Sequence, residues 1–93
     1  MSENLQELRR QVSQIDRDIL NLLNQRQKLV QEIGKIKKQQ QLPIRDLKRE
    51  EQVLQKLYEF SELQNILLTR EDIYQIYQSV MQVALKLQKK NYS

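Results

Sequence analysis

Three observations predict an all-α protein. One Gly, one Pro and no Trp occur in 93 residues. The chain is rich in Leu, Gln, Lys, Glu and Arg, which all sit comfortably in helix interiors. Its apolar residues recur in alternating steps of three and four, the period of one helix face. The expectation is a single domain over 1–93, with one long N-terminal helix over 4–39 and two shorter ones over 47–63 and 70–89.

The first helix is read from Leu5, Leu8, Val12, Ile15, Ile19, Leu22, Arg26, Leu29, Ile33 and Ile36. The steps never slip, and only Arg26 is not apolar. At 1.5 Å per residue this helix is on the order of 50 Å long. A compact chain of this size has a radius of gyration of roughly 12 Å. The helix therefore overshoots any globule the chain forms alone, and a two-fold homodimer is the commonest remedy. Gly34 weakens the helix interior by about 1 kcal/mol relative to Ala. It marks either a tolerated weakness or a close approach by another helix or a ligand.

Pro43 breaks the segment QQQLPIR, because it cannot occupy a helix interior and it restricts Leu42. Asp46 is placed to cap the second helix. That helix carries the stripe Leu47, Glu50, Leu54, Leu57. A polar stretch around Ser61 to Asn65 ends it. Thr69 then caps the third helix, with Asp72 completing an imperfect capping box. Its face reads Ile73, Tyr77, Val80, Ala84, with Met81 alongside and Gln88 next. The tail KKNYS is expected to fray.

Composition narrows the chemistry. There is no Cys and no His, so no thiolate, no disulfide and no imidazole base or ligand. No metal and no cofactor are expected. The N-terminal segment lacks a signal peptide's apolar core, and no apolar run approaches the ~20 residues that span a bilayer. A soluble cytoplasmic protein without membrane contact is expected. Net charge is +4, but the basic residues are dispersed apart from Lys35, Lys37 and Lys38. No aromatic residues interleave with them as stacking platforms, so no nucleic-acid partner is expected.

Each helix carries one polar residue on its apolar stripe: Arg26, Glu50 and Gln88. Singly, each has a plain explanation. Arg and Glu can extend their charged ends to water, Arg26 and Glu50 can pair, and Gln88 can mark where burial ends. Together they point to a shared polar pocket. Lys37 follows Arg26 by three helical turns on nearly the same face, and Arg49 neighbours Glu50. Arg9 lies roughly 25 Å before Arg26 and cannot reach that pocket in its own chain. An antiparallel two-fold mate would slide it opposite Arg26, with the dyad near Asp16 to Ile19. On pattern alone, a solvated charge beside Arg10 is the favoured reading of Arg9. An excess of fixed cations calls for a ligand with at least two anionic groups, because Arg grips carboxylate and phosphate in bidentate fashion. With no nucleophile–base pair, such a site suits a reaction needing charge stabilisation and shape.

These residues, in this order, resemble the all-helical chorismate mutase family over nearly the whole chain. The likeness rests on LRRQVSQID around Arg9, LLNQRQKLVQEIGKIK with Arg26 and Lys37, PIRDLKRE with Asp46, Arg49 and Glu50, and Gln88. It implies an intertwined homodimer with three helices per chain and two shared active sites. It implies the pericyclic rearrangement of chorismate to prephenate, on the route to aromatic amino acids, without a cofactor. By resemblance, Arg26 and the partner chain's Arg9 clamp the two carboxylates. Lys37 and Gln88 donate to the ether oxygen, Glu50 and the Asp46 region hold the ring hydroxyl, and Arg49 supports a carboxylate. Ala84 departs from members that carry a Ser there, whose hydroxyl assists a carboxylate.

Two alternatives remain: an isochorismate pyruvate-lyase of the same fold, and a non-catalytic helical dimerisation module. The intact segment Arg45-Asp46-Leu47-Lys48-Arg49-Glu50 favours the mutase over the lyase. With nothing following the third helix, any feedback control is expected to need a partner enzyme.

Overall fold

The computed structural model describes the backbone of residues 2–92 and the side chains of residues 4–90. It is all-α: α1 Ser2–Gln39, α2 Leu47–Leu63 and α3 Arg70–Tyr92. Helix α3 runs to Tyr92, three residues past the expected end at 89. No Gly or Pro interrupts this stretch, and Lys89 and Lys90 in the last turn oppose the negative end of the helix dipole.

Both loops are built by helix caps. At the end of α1, the Gln41 N–H donates to the Lys38 carbonyl at 3.3 Å and the Leu42 N–H donates to the Lys37 carbonyl at 2.8 Å. This is a Schellman motif, and its left-handed position is Gln41, at φ 56°. Pro43 follows at once and prevents the helix from resuming. The end of α2 repeats the motif with Asn65 at φ 52°. There Asn65 donates to the Glu62 carbonyl and Ile66 to the Ser61 carbonyl. Asp46 caps α2 by accepting the Arg49 N–H at 3.0 Å. Thr69 and Asp72 form a reciprocal capping box, each side chain accepting the other's backbone N–H at 3.0 Å. Arg70 ties the start of α3 back to α2, with an ion pair to Glu62 at 2.7 Å and its guanidinium 5.0 Å from the Tyr58 ring centre.

Helix α3 packs against both α1 and α2, while α1 and α2 do not approach each other directly. The result is a cleft with α3 as its floor. The core is thin. Val30, Ile73, Met81 and Ala84 are its buried apolar residues, and none is fully sealed from solvent. Gly34 is also buried. It lies one turn beyond Val30 on the helix that α3 crosses, which favours close approach over tolerated weakness.

The long apolar seam of α1 is uncovered. Leu8 is 59% exposed, Ile15 55%, Leu22 62% and Leu29 67%. The radius of gyration is 16.8 Å and the long axis 58 Å, against roughly 12 Å for a compact chain of this length. The accessible surface of 8089 Å² exceeds the about 5,700 Å² of a compact monomer of this mass. Contiguous apolar surface on this scale is uncommon on a soluble monomer. Among the described residues, no helix is long and apolar enough to cross a membrane.

Gln41 occupies a conformation that disfavours any residue with a Cβ. Gln41→Gly should therefore stabilise the fold by about 0.5–1 kcal/mol once glycine's extra unfolded-state entropy is subtracted. Urea denaturation at fixed chain concentration measures this, and a loss of stability would contradict the cap assignment.

Candidate active site

The cleft between α1 and α2 holds a cavity of about 240 Å³. Arg26, Val30, Ile33 and Lys37 of α1 line one wall. Asp46, Arg49, Glu50 and Val53 line the other, Met81, Ala84, Leu85 and Gln88 of α3 form the floor, and Ile44 closes the loop end. Of the eight residues singled out in the sequence, seven meet here: Arg26, Lys37, Asp46, Arg49, Glu50, Ala84 and Gln88. Arg9 does not. It is exposed far along α1, as expected for a residue unable to reach the cavity of its own chain. Its neighbour Arg10 donates twice to Glu7, at 2.6 and 3.0 Å, which holds that carboxyl below its ordinary range. Among the described residues, Arg9 makes no such pair.

Arg26 is half-buried, and its Nη1 is enclosed without a hydrogen-bond partner. Among the described residues it is the one buried side-chain polar atom left unsatisfied. A donor in that state costs about 1–3 kcal/mol, and more when charged. The sequence allowed an Arg26–Glu50 pair, but the structure gives Glu50 to Arg45. Arg45 Nε donates to Glu50 Oε2 at 3.1 Å and Nη2 to Oε1 at 3.4 Å.

Lys37 is fixed from two sides. Its ammonium donates to the Ile44 carbonyl at 2.6 Å and to Gln88 Oε1 at 2.8 Å. An ammonium has three protons, so one remains for a ligand. The same contact orients the Gln88 amide. Its oxygen is taken by Lys37, which leaves the NH₂ group as the donating end. Gln88 is only 6% exposed, so it does not mark the end of burial. Asp46 spends one carboxylate oxygen on its helix cap. Ala84 is buried in the floor and adds surface without a polar group.

Sequence reasoning missed three features. The Ile44 carbonyl carries no side-chain signal. The role of Arg45 lies outside helical periodicity, although it stands inside the PIRDLKRE segment. The apolar lining by Val53 and Leu85 has no signature beyond ordinary core residues. A second cavity of about 210 Å³ lies between Leu23, Arg26 and Gln27 of α1 and Ser79, Val80 and Val83 of α3. Arg26 is its only charged residue. No group of three or more acidic side chains comes together among the described residues to hold a metal.

Chemically, the main cavity offers fixed cations, one carboxylate held from outside, an oriented amide and a shaped apolar floor. It can bind a small polyanion and stabilise charge that develops as a bond polarises.

Residues 8–89 match the family model for chorismate mutase type II. The chain is 37% identical over 89 residues to the bifunctional chorismate mutase/prephenate dehydratase of Aquifex aeolicus, covering 95% of this chain and 25% of that protein. It thus spans about a quarter of that relative's length. A chorismate mutase of Methanocaldococcus jannaschii is 32% identical over 66 residues, covering 71% of this chain and 67% of that protein. Among solved structures, a conserved hypothetical protein of Pyrococcus furiosus superposes with a TM-score of 0.70 and 38% identity, covering 91% of this chain and 95% of the other. With its helices, its cleft and this match over most of its length, the chain belongs to the chorismate mutase type II family.

Proposed function

We propose that this chain is a cytoplasmic chorismate mutase, acting as a homodimer whose two sites each draw on both subunits. The observation that carries this reading is the buried, unpartnered Nη1 of Arg26 on the wall of a cation-rich cavity. An anionic group of the substrate would supply the missing acceptor.

Chorismate bears two carboxylates, an ether oxygen and a ring hydroxyl. Arg26 and the second subunit's copy of Arg9 would clamp the carboxylates, with Arg49 in support. Lys37 and the Gln88 amide would donate to the ether oxygen, where negative charge grows as the C–O bond breaks and the new C–C bond forms. Glu50 and the Asp46 region would accept the ring hydroxyl. The reaction is an internal rearrangement that exchanges no proton and needs no nucleophile, so a site without His or Cys suffices. Catalysis would come from holding the reactive conformer and stabilising the polarised transition state. Ala84 offers no hydroxyl, so any contact there would fall to backbone or water.

The dimer is supported by the open seam of α1 and the excess surface of the single chain. It is also supported by the cavity itself. Its about 240 Å³ falls short of the ~300–1,000 Å³ of most small-molecule pockets, as expected of a site lacking one wall.

Purified protein should convert chorismate to prephenate without added metal or cofactor, followed by loss of chorismate absorbance. Unchanged chorismate would sink the proposal, and pyruvate released from isochorismate would indicate the lyase chemistry instead. Arg26→Lys should lower activity on the order of 10²-fold, because an ammonium cannot reproduce the guanidinium fork.

The shared site has its own test. Chains carrying Arg9→Ala and chains carrying Arg26→Ala should each be nearly inactive alone. After mixing under conditions of proven subunit exchange, activity should return, since one of the two sites in the mixed dimer is intact. No recovery would exclude a site built across the dyad.

A further inference from the structure

We infer that Arg45 is a positioning residue, which holds the Glu50 carboxylate away from the very cations the substrate needs. This rests on the proposed function and adds a residue to it.

Glu50 and Asp46 are the carboxylates lining the cavity, alongside the cations Arg26, Lys37 and Arg49. One Asp46 oxygen is engaged at the helix cap. Glu50 has no comparable backbone tether, and its side chain is 21% exposed. In such surroundings an untethered carboxylate swings to the nearest cation and quenches it. A substrate carboxylate would then have to displace Glu50 before it could bind.

Arg45 prevents that collapse. It is not part of the cavity lining, yet its guanidinium contacts both oxygens of Glu50, at 3.1 and 3.4 Å. A two-point grip fixes the plane of the carboxylate as well as its position. Each oxygen keeps a further lone pair for a hydroxyl proton.

Arg45 is itself held by its neighbours. The Ile44 carbonyl is bound by Lys37 at 2.6 Å, and Asp46 caps α2. Its backbone is therefore fixed between the end of α1 and the start of α2. The Arg45 side chain is 61% exposed, and an ion pair this wet contributes little to stability. Orientation of Glu50 is the effect left for it to exert.

The test compares Arg45→Ala and Arg45→Lys in the full-length protein, each with and without Glu50→Gln. Arg45→Ala should raise KM for chorismate on the order of tenfold and change kcat by less than about threefold, the range of coupling between contacting side chains. Thermal unfolding should be unchanged within a few degrees. Arg45→Lys should restore most of the loss. In the Glu50→Gln background, where position 50 carries no negative charge to collapse, Arg45→Ala should have almost no further effect on KM.

An Arg45→Ala chain with wild-type KM would overturn the inference. So would an equal loss in the Glu50→Gln background, which would mean that Arg45 contacts the substrate directly. Inactivity of the wild-type chain toward chorismate is a different result, since it removes the proposed function and this inference with it.

Discussion

The Lys37 ammonium is the joint on which the site depends. Its bonds to the Ile44 carbonyl and the Gln88 amide oxygen tie α1 to the loop after it and to α3, which approaches from 51 positions away in sequence. Without the first bond, the segment over 40–46 would lose its tie to the Lys37 side chain. Without the second, the half-buried charge would lose an acceptor and the Gln88 amide would lose its fixed orientation. Both acceptors are uncharged. Lys37 therefore keeps its full positive charge for a ligand, where a carboxylate partner would have cancelled much of it. A structural need to satisfy an ammonium and a chemical need to leave it electropositive are met by one arrangement.

The thin core and the rich cavity have a common origin. Helix α3 touches α1 and α2, but the latter two stay apart. Closing that gap with apolar side chains would enlarge the core and abolish the cleft. The chain instead puts Arg26, Lys37, Arg49 and Glu50 there, and leaves a run of large apolar residues on α1 uncovered. In the proposed dimer, association would add the stability that one chain does not find inside itself. Arg26 stands where these demands meet, because it lines two cavities bordered by α1 and α3 and occupies a seam position that a Leu would fill without cost.

Periodicity made much of this legible before any coordinates. Steps of three and four specify helices, and Arg26, Glu50 and Gln88 fall on those steps without being apolar, so each announced itself as an exception. Lys37 followed from helical spacing and Asp46 from capping chemistry. Periodicity names a face, however, and not the partner of that face. Leu47 belongs to the α2 stripe by spacing but is 61% exposed, because α2 begins beside the cleft and not over the core. The α1 stripe reads as one seam, yet Val30 is buried while Leu29 beside it is open. The Arg45–Glu50 pair spans a loop–helix junction, where no repeat operates. The Ile44 carbonyl belongs to the backbone, and no side chain reports where a backbone group will point.

The charge balance of the cleft explains why a helical scaffold serves this site. Three cations facing one cavity repel one another, and the protein must hold them together with no ligand present. Rigid helices do so by fixing the Cα positions and letting long side chains fan out. Arg26 and Lys37 stand eleven residues apart on one helix, about 16 Å along its axis, and Arg49 is on another. Their repulsion is thereby spread, while their tips still reach a shared volume. The two carboxylates present are restrained by different means, Asp46 by a backbone N–H and Glu50 by Arg45. Neither is free to neutralise the cations from within. In the proposed reaction, such a preorganised positive potential would spare the energy of reorienting dipoles as charge develops. A more flexible loop carrying the same residues would relax into internal ion pairs and lose that advantage.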